Sequence, residues 1–131
     1  MRYMLDTNIC IYVIKQAPAA VLEKFREHEA AGLGVSAVTA AELAFRAAKS
    51  GSRRNRAALE AFLSALEIAP FDDEAAWVYG DVRADLETSG VPIGPLDTQI
   101  AAHALSLDIT LVSNNLREFE RVPGLRCANW A

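Results

Sequence analysis

The 131-residue sequence holds two cysteines, two histidines, two methionines and two tryptophans, and each scarcity excludes something. Cys10 and Cys127 are too few for a disulfide framework or a cysteine zinc cluster. Cys10 falls in an apolar stretch and reads as core. His28 and His103 both sit within helical patterns and read as structural, so an acid–base mechanism built on paired histidines has no support. No apolar run reaches the length of a membrane span. No charged-then-apolar leader is evident, so a cytosolic protein is expected. Basic residues are outnumbered, 13 Lys and Arg against 17 Asp and Glu, for a net charge of −4. That balance excludes a general polyanion-coating protein. It leaves room for an enzyme acting on a polyanion, because acids gathered around a bound cation inflate the acidic count.

What is abundant is Ala, Leu, Ile and Val: hydrophobic residues make up 52%, enough for the core of one domain spanning residues 1–131. There is no internal repeat, low-complexity segment or linker. The organising stretch is the first, Tyr3-Met4-Leu5-Asp6-Thr7-Asn8. An apolar run ends on a carboxylate and passes through cap-type residues into Ile9-Cys10-Ile11-Tyr12-Val13-Ile14. The pattern predicts a buried strand, an acid at its carboxyl end, then a helix. In an open α/β sheet, ligands bind at that strand end.

In order, residues 2–6 form the first expected strand and about 8–15 the first helix, ended before Pro18. Residues 19–30 have helical spacing. Leu33 to Ser36 is a second strand, and Thr39 caps a helix through Ala47. A break at Ser50-Gly51-Ser52 precedes a helix over 57–66. Residues 67–69 form a third strand, and Asp73 to Thr88 a long amphipathic helix closed by Ser89-Gly90. Pro95 suits the first turn of a helix over 96–107. A fourth strand covers 109–112, and the tail 125–130 offers a short edge strand. Strands alternating with helices predict an α/β fold with a mainly parallel sheet.

Three acids and an amide then fall at corresponding places. Asp6 ends the first strand, Glu42 and Asp97 lie in first turns of helices, and Asn115 follows the fourth strand. Each has a bland reading: Asp6 as a cap, Thr39 and Glu42 as a capping box, Asp97 as a charge at a helix start, Asn115 as a turn residue. Caps do not explain three carboxylates on one edge of a parallel sheet. Together they would raise one another's pKa, and a divalent cation resolves that.

These residues carry a resemblance. Leu5-Asp6-Thr7-Asn8, Thr39-Ala-Ala-Glu42-Leu43, Ile93-Gly94-Pro95-Leu96-Asp97 with Ile100-Ala101-Ala102-His103-Ala104, and Leu111-Val112-Ser113-Asn114-Asn115 with Phe119, Arg121 to Leu125 and Asn129-Trp130 together look like a PIN-domain ribonuclease. The chain is more closely similar to VapC toxins of bacterial VapBC toxin–antitoxin modules, and the likeness runs its full length. It implies a three-layer PIN-like fold with a central sheet of four or five strands flanked by helices. It implies a Mg²⁺-dependent (or Mn²⁺-dependent) endoribonuclease in which Asp6, Glu42 and Asp97 bind the metal, with Glu42 either a ligand or the residue orienting the attacking water. Asn115 stands where the family often has a fourth acid. Thr7 and Ser113 are expected to hold the acids. Cleavage would leave a 3′-hydroxyl and a 5′-phosphate.

The likeness also implies a VapB antitoxin seated on apolar side chains within residues 9–25 and 43–66, a homodimer, a higher VapBC complex, and operator DNA bound only through the antitoxin. The enteric-type subgroup suggests initiator tRNA, cut in its anticodon stem-loop. Another tRNA, a ribosomal RNA loop, or a non-catalytic antitoxin-binding role are the alternatives. Arg46, Lys49, Arg53, Arg54 and Arg56 form a candidate phosphate-contacting rim, with Lys15, Arg83 and Arg117 as possible additions. Arg121 and Arg126 read as structural or tail contacts, and Trp77, Tyr79 and Trp130 as core or interface. A haloacid-dehalogenase-type phosphatase would need an aspartate where Asn8 stands, and a response-regulator receiver a lysine near Ser113; neither is present.

Overall fold

The computed structural model describes residues 1–131. Strand β1 (Tyr3–Leu5) runs into helix α1 (Thr7–Lys15), followed by α2 (Ala19–His28) and a short 3₁₀ turn. Then come β2 (Leu33–Ser36), α3 (Ala37–Ser50), α4 (Arg53–Ser64), β3 (Glu67–Ala69) and α5 (Asp73–Thr88). The chain closes with α6 (Pro95–Leu107), β4 (Thr110–Val112), the four-residue α7 (Leu116–Phe119) and β5 (Cys127–Ala128).

The five strands form one sheet in the order β3-β2-β1-β4-β5, and every pairing is parallel. Strand β1 lies at the centre because both its faces are covered. Met4 packs into one core cluster and Leu5 into the other, as alternation along a strand requires. Strand β4 repeats this with Leu111 and Val112. One cluster joins α1, α2, α3 and α4 through Ile9, Val13, Val21, Leu43 and Leu59. The other joins α5, α6 and α7 through Val82, Leu86, Ile100 and Phe119. The result is the expected three-layer α/β arrangement. Each fully buried Leu or Ile adds on the order of 1.5–3 kcal/mol, so the core stands without a structural metal.

Strand order turns between β1 and β4. From β1 the chain proceeds outward to β2 and β3, then returns to add β4 and β5 on the other side. The crevice beyond the carboxyl ends of those two strands is the switch point where such sheets bind ligands. Register places Leu5 beside Val112, so Asp6 and Ser113 leave the sheet next to each other.

Several local expectations need correction. Helix α3 begins at Ala37, not Thr39, because Ser36 caps it: its Oγ accepts from Val38 N–H at 3.0 Å. Thr39 is buried inside the helix, and Glu42 moves from the first turn to the second. The capping-box reading of Thr39 and Glu42 therefore fails. Helix α4 starts four residues earlier than expected, at Arg53, with Ser52 Oγ accepting from Asn55 N–H at 3.1 Å. Helix α7 was not expected, and the tail strand is only two residues long. Trp130 is core, but Trp77 is 74% exposed. Tyr79 is half-buried, its hydroxyl accepting from Arg83.

Candidate active site

Asp6 is the residue at which β1 becomes α1. Its backbone is extended, and its Oδ1 accepts from Ile9 N–H at 2.9 Å, so it caps the helix it opens. It is only 5% exposed. Burial pushes its pKa up, and hydrogen bonds from the Ser113 hydroxyl and the Ile9 and Asn8 amides pull against that. Capping and a site role coexist, because one carboxylate oxygen suffices for the cap.

Asp97 sits in the first turn of α6, which Gly94 and Pro95 start. The helix dipole there favours the anion by about 0.3–1 kcal/mol. The surroundings win: Asp97 is pushed from 3.8 up to about 7. Burial is the largest cause, then a hydrogen bond to Glu118 and its charge, then the charges of Asp6 and Glu42. Four carboxyl groups from four elements thus lie within electrostatic reach of one another. Glu42 reaches the group from α3 and carries the one nearby counter-charge, Arg46, with Nη2 to Oε1 at 3.7 Å.

Glu118 is the residue that reading the sequence missed. Asn115, at the expected fourth position, donates through Nδ2 to Glu118 Oε2 at 2.9 Å, and Glu118 in turn raises the pKa of Asp97. The available signal was its position, one residue before the buried Phe119 in a turn that Asn115 begins.

Of the two residues expected to hold the acids, Ser113 leaves the sheet beside Asp6 and lowers its pKa, and its Oγ accepts from Asn115 N–H at 2.9 Å. Thr7 holds none of them: its Oγ1 is buried without a partner. Thr39 Oγ1 and Asn114 Oδ1 are buried and unpartnered too. Thr7 follows Asp6, Thr39 precedes Glu42 by one helical turn, and Asn114 follows Ser113.

As the side chains stand, no three of them converge closely enough to ligate one ion, since Asp97 turns to Glu118. The donor set nonetheless fits a hard divalent cation. It consists of carboxylates that raise one another's proton affinity, Asp97 with Glu118, Asp6 and Glu42. Asp6, Asp97, Glu42 and Glu118 are the side chains that could hold it.

The basic residues divide. Arg46 and Lys49 line one open concavity with Glu42, Phe45 and Ser50. Arg53, Arg54 and Arg56 are exposed in the first turn of α4, and Arg56 pairs with Glu60 at 3.2 Å. Cations at a helix N-terminus oppose the dipole, so local stability does not explain them. Arg83 is engaged by Glu87 and Tyr79 on α5, away from this rim. Arg117 is exposed on α7. Arg121 bonds the Pro92 carbonyl and Arg126 bonds Asp108, as structural contacts. His28 stacks on Trp130 with ring centres 4.8 Å apart, and His103 is buried; both are structural. An apolar cleft of about 250 Å³ lies between α1, α3 and α4, lined by Ile11, Ile14, Leu43, Ala47 and Leu59 with Lys15 and Arg46 at its border.

Comparison with known proteins agrees with this geometry. Residues 3–125 match the PIN domain family. The tRNA(fMet)-specific endonuclease VapC of Salmonella typhimurium is 44% identical over 131 residues, covering 99% of this chain and 98% of that protein. Ribonuclease VapC2 of Haemophilus influenzae is 49% identical, with the same coverage. Among solved structures, VapBC2 from Rickettsia felis bound to a promoter DNA fragment superimposes with a TM-score of 0.92 at 38% identity, covering 100% of both chains. DNA-bound VapBC from Salmonella typhimurium gives 0.92 at 42% identity, covering 100% of this chain and 99% of that one. The acids at the switch point and the full-length likeness lead to one conclusion: the chain belongs to the PIN-domain family and, within it, to the VapC nucleases.

Proposed function

We propose that this protein is the toxin of a VapBC-type pair, a divalent-metal-dependent endoribonuclease that cuts initiator tRNA in its anticodon stem-loop. The observation that carries the chemistry is the carboxyl cluster of Asp6, Glu42, Asp97 and Glu118 at the switch point, where burial first, and then the neighbouring carboxyl groups, lift Asp97 to about 7. A Mg²⁺ or Mn²⁺ ion bound there would supply an activated water and charge stabilisation at the phosphate. The chain's own residues supply the rest. Asp6 and Asp97 are the chief ligands. Glu42 is a ligand or orients the water. Glu118 is a further acid that Asn115 aims. Ser113, beside Asp6, lowers its pKa. The likeness to this family supports a product with a 3′-hydroxyl and a 5′-phosphate.

Arg46 and Lys49 are suited to hold substrate phosphates beside Glu42, and Arg53, Arg54 and Arg56 to extend that contact. A net charge of −4 favours a folded RNA, which presents a few phosphates in fixed places with loop bases splayed outward. The names of the Salmonella typhimurium and Shigella flexneri relatives, both tRNA(fMet)-specific endonucleases, favour initiator tRNA.

The cleft between α1, α3 and α4 is where an apolar antitoxin segment would lie. It falls within the residue ranges expected for that partner. Operator DNA is then bound through the antitoxin, in keeping with the acidic toxin. The exposed Trp77 is an anchor for a homodimer. No helix is long and apolar enough to cross a membrane; the cytoplasm, where tRNA resides, is the proposed location. Brief expression followed by mapping of new RNA 5′ ends tests the substrate. Growth arrest with intact initiator tRNA would refute it.

A further inference from the structure

We infer that His103, a buried histidine remote from the phosphate chemistry, is a positioning residue that sets Glu42 through the cap of helix α3. The inference rests on the nuclease reading above.

His103 lies further along the helix that carries Asp97, and it is 1% exposed. Its Nδ1 is 2.8 Å from Ser36 Oγ, and Ser36 is fully buried. Ser36 is also the cap of α3, accepting from Val38 N–H at 3.0 Å. On its other side Phe71, between β3 and α5, packs edge-on against the ring with ring centres 5.3 Å apart. A neutral ring with Nδ1 unprotonated satisfies the polar contacts: Nδ1 accepts the Ser36 hydroxyl, and Ser36 Oγ accepts the Val38 amide. Burial lowers the ring's pKa, the Asp72 charge and the Pro70 carbonyl opposing, which keeps the ring neutral.

The chain of bonds ends at the first turn of α3. Glu42 follows one turn later, with Thr39 between them, buried and without a hydrogen-bond partner of its own. The sheet fixes the backbone of Ser36 through its pairing with Ala69, and the cap is the side-chain bond that carries this position into the first turn of α3. His103 couples it to α6, so the two acid-bearing helices are tied at a buried point below the site. Packing alone would accept any side chain of similar volume here. A fixed acceptor at the Nδ1 position is what the cap needs.

The test exploits two near-isosteres. Asn places a polar atom near Nδ1, and Gln places one near Nε2. His103→Asn keeps the link to Ser36, and His103→Gln loses it. We expect His103→Gln to lower kcat on RNA about tenfold with unchanged RNA Kd, since a displaced catalytic group costs rate rather than binding. His103→Asn should stay within about threefold of wild type. Ser36→Ala should reproduce His103→Gln. In the metal-free protein, hydrogen exchange at the Val38 amide should quicken in His103→Gln and Ser36→Ala but not in His103→Asn. Equal kcat for the two histidine variants, the reverse order, or RNA affinity falling in step with kcat would overturn the inference. If wild-type protein cleaves no RNA, the nuclease reading has failed instead. The Val38 exchange rates then still decide whether His103 governs the cap, and equal rates in the two histidine variants would refute that.

Discussion

Asn115 Nδ2 donates to Glu118 Oε2 at 2.9 Å, and the carboxylate so held raises the pKa of its neighbour Asp97. Two acids this close favour a proton on one of them. That ties the ionisation of the site to the stability of the metal-free protein.

Asp97 has its pKa raised on folding, from 3.8 to about 7. The folded state therefore binds this proton more tightly than the unfolded chain. The stabilisation is fully present below pH 3.8 and is lost as pH rises through about 7. With chelator present, the contribution of this site should favour pH 5 over pH 8. Added Mg²⁺ should reverse that order at pH 8 by replacing the proton as counter-charge. Thermal unfolding at both pH values, with and without metal, checks this; an unchanged Tm difference on removing Asp97 would contradict it.

Asp97→Asn should abolish RNA cleavage and, without metal at pH 8, raise the Tm by relieving repulsion. Asp6→Asn should also abolish cleavage while leaving the fold intact, because Asn still caps α1. Rates and unfolding curves for both variants decide the matter. Near-wild-type cleavage by either one would remove that residue from the site.

Arg53, Arg54 and Arg56 hold an unfavourable place at the start of α4, and the proposed reason is phosphate contact. Replacing all three by Ala should weaken RNA binding and flatten its dependence on salt, by a slope change of up to about 2–3 for three contacts. Stability should not fall, since cations leave a positive helix end. A salt titration of binding reads this directly, and an unaltered slope would return the three residues to a solvated surface.

The sequence made the central elements legible where local chemistry and tertiary packing agree. Tyr3 to Leu5 is apolar on both faces because β1 is covered on both. Asp6, Pro95 and Asp97 sit at starts that cap chemistry marks. The sequence is ambiguous where two signals compete. Ser36 lies at a strand end and Thr39 offers a competing cap, but Ser36 serves as both strand end and cap. Arginines opening α4 run against the helix dipole and hide its start. Glu118 carries no local motif, and only the fold shows that the Asn115 amide reaches the acid one helical turn on. The His103–Ser36 bond joins residues too far apart in sequence for any periodicity to reveal.

The most direct measurement of the central claim is cleavage of purified initiator tRNA by purified protein, read as mapped 5′ ends. The account predicts one cut in the anticodon stem-loop with Mg²⁺, none after exhaustive chelation, and none with Asp97→Asn. Undiminished cleavage without metal, or by that variant, would contradict it.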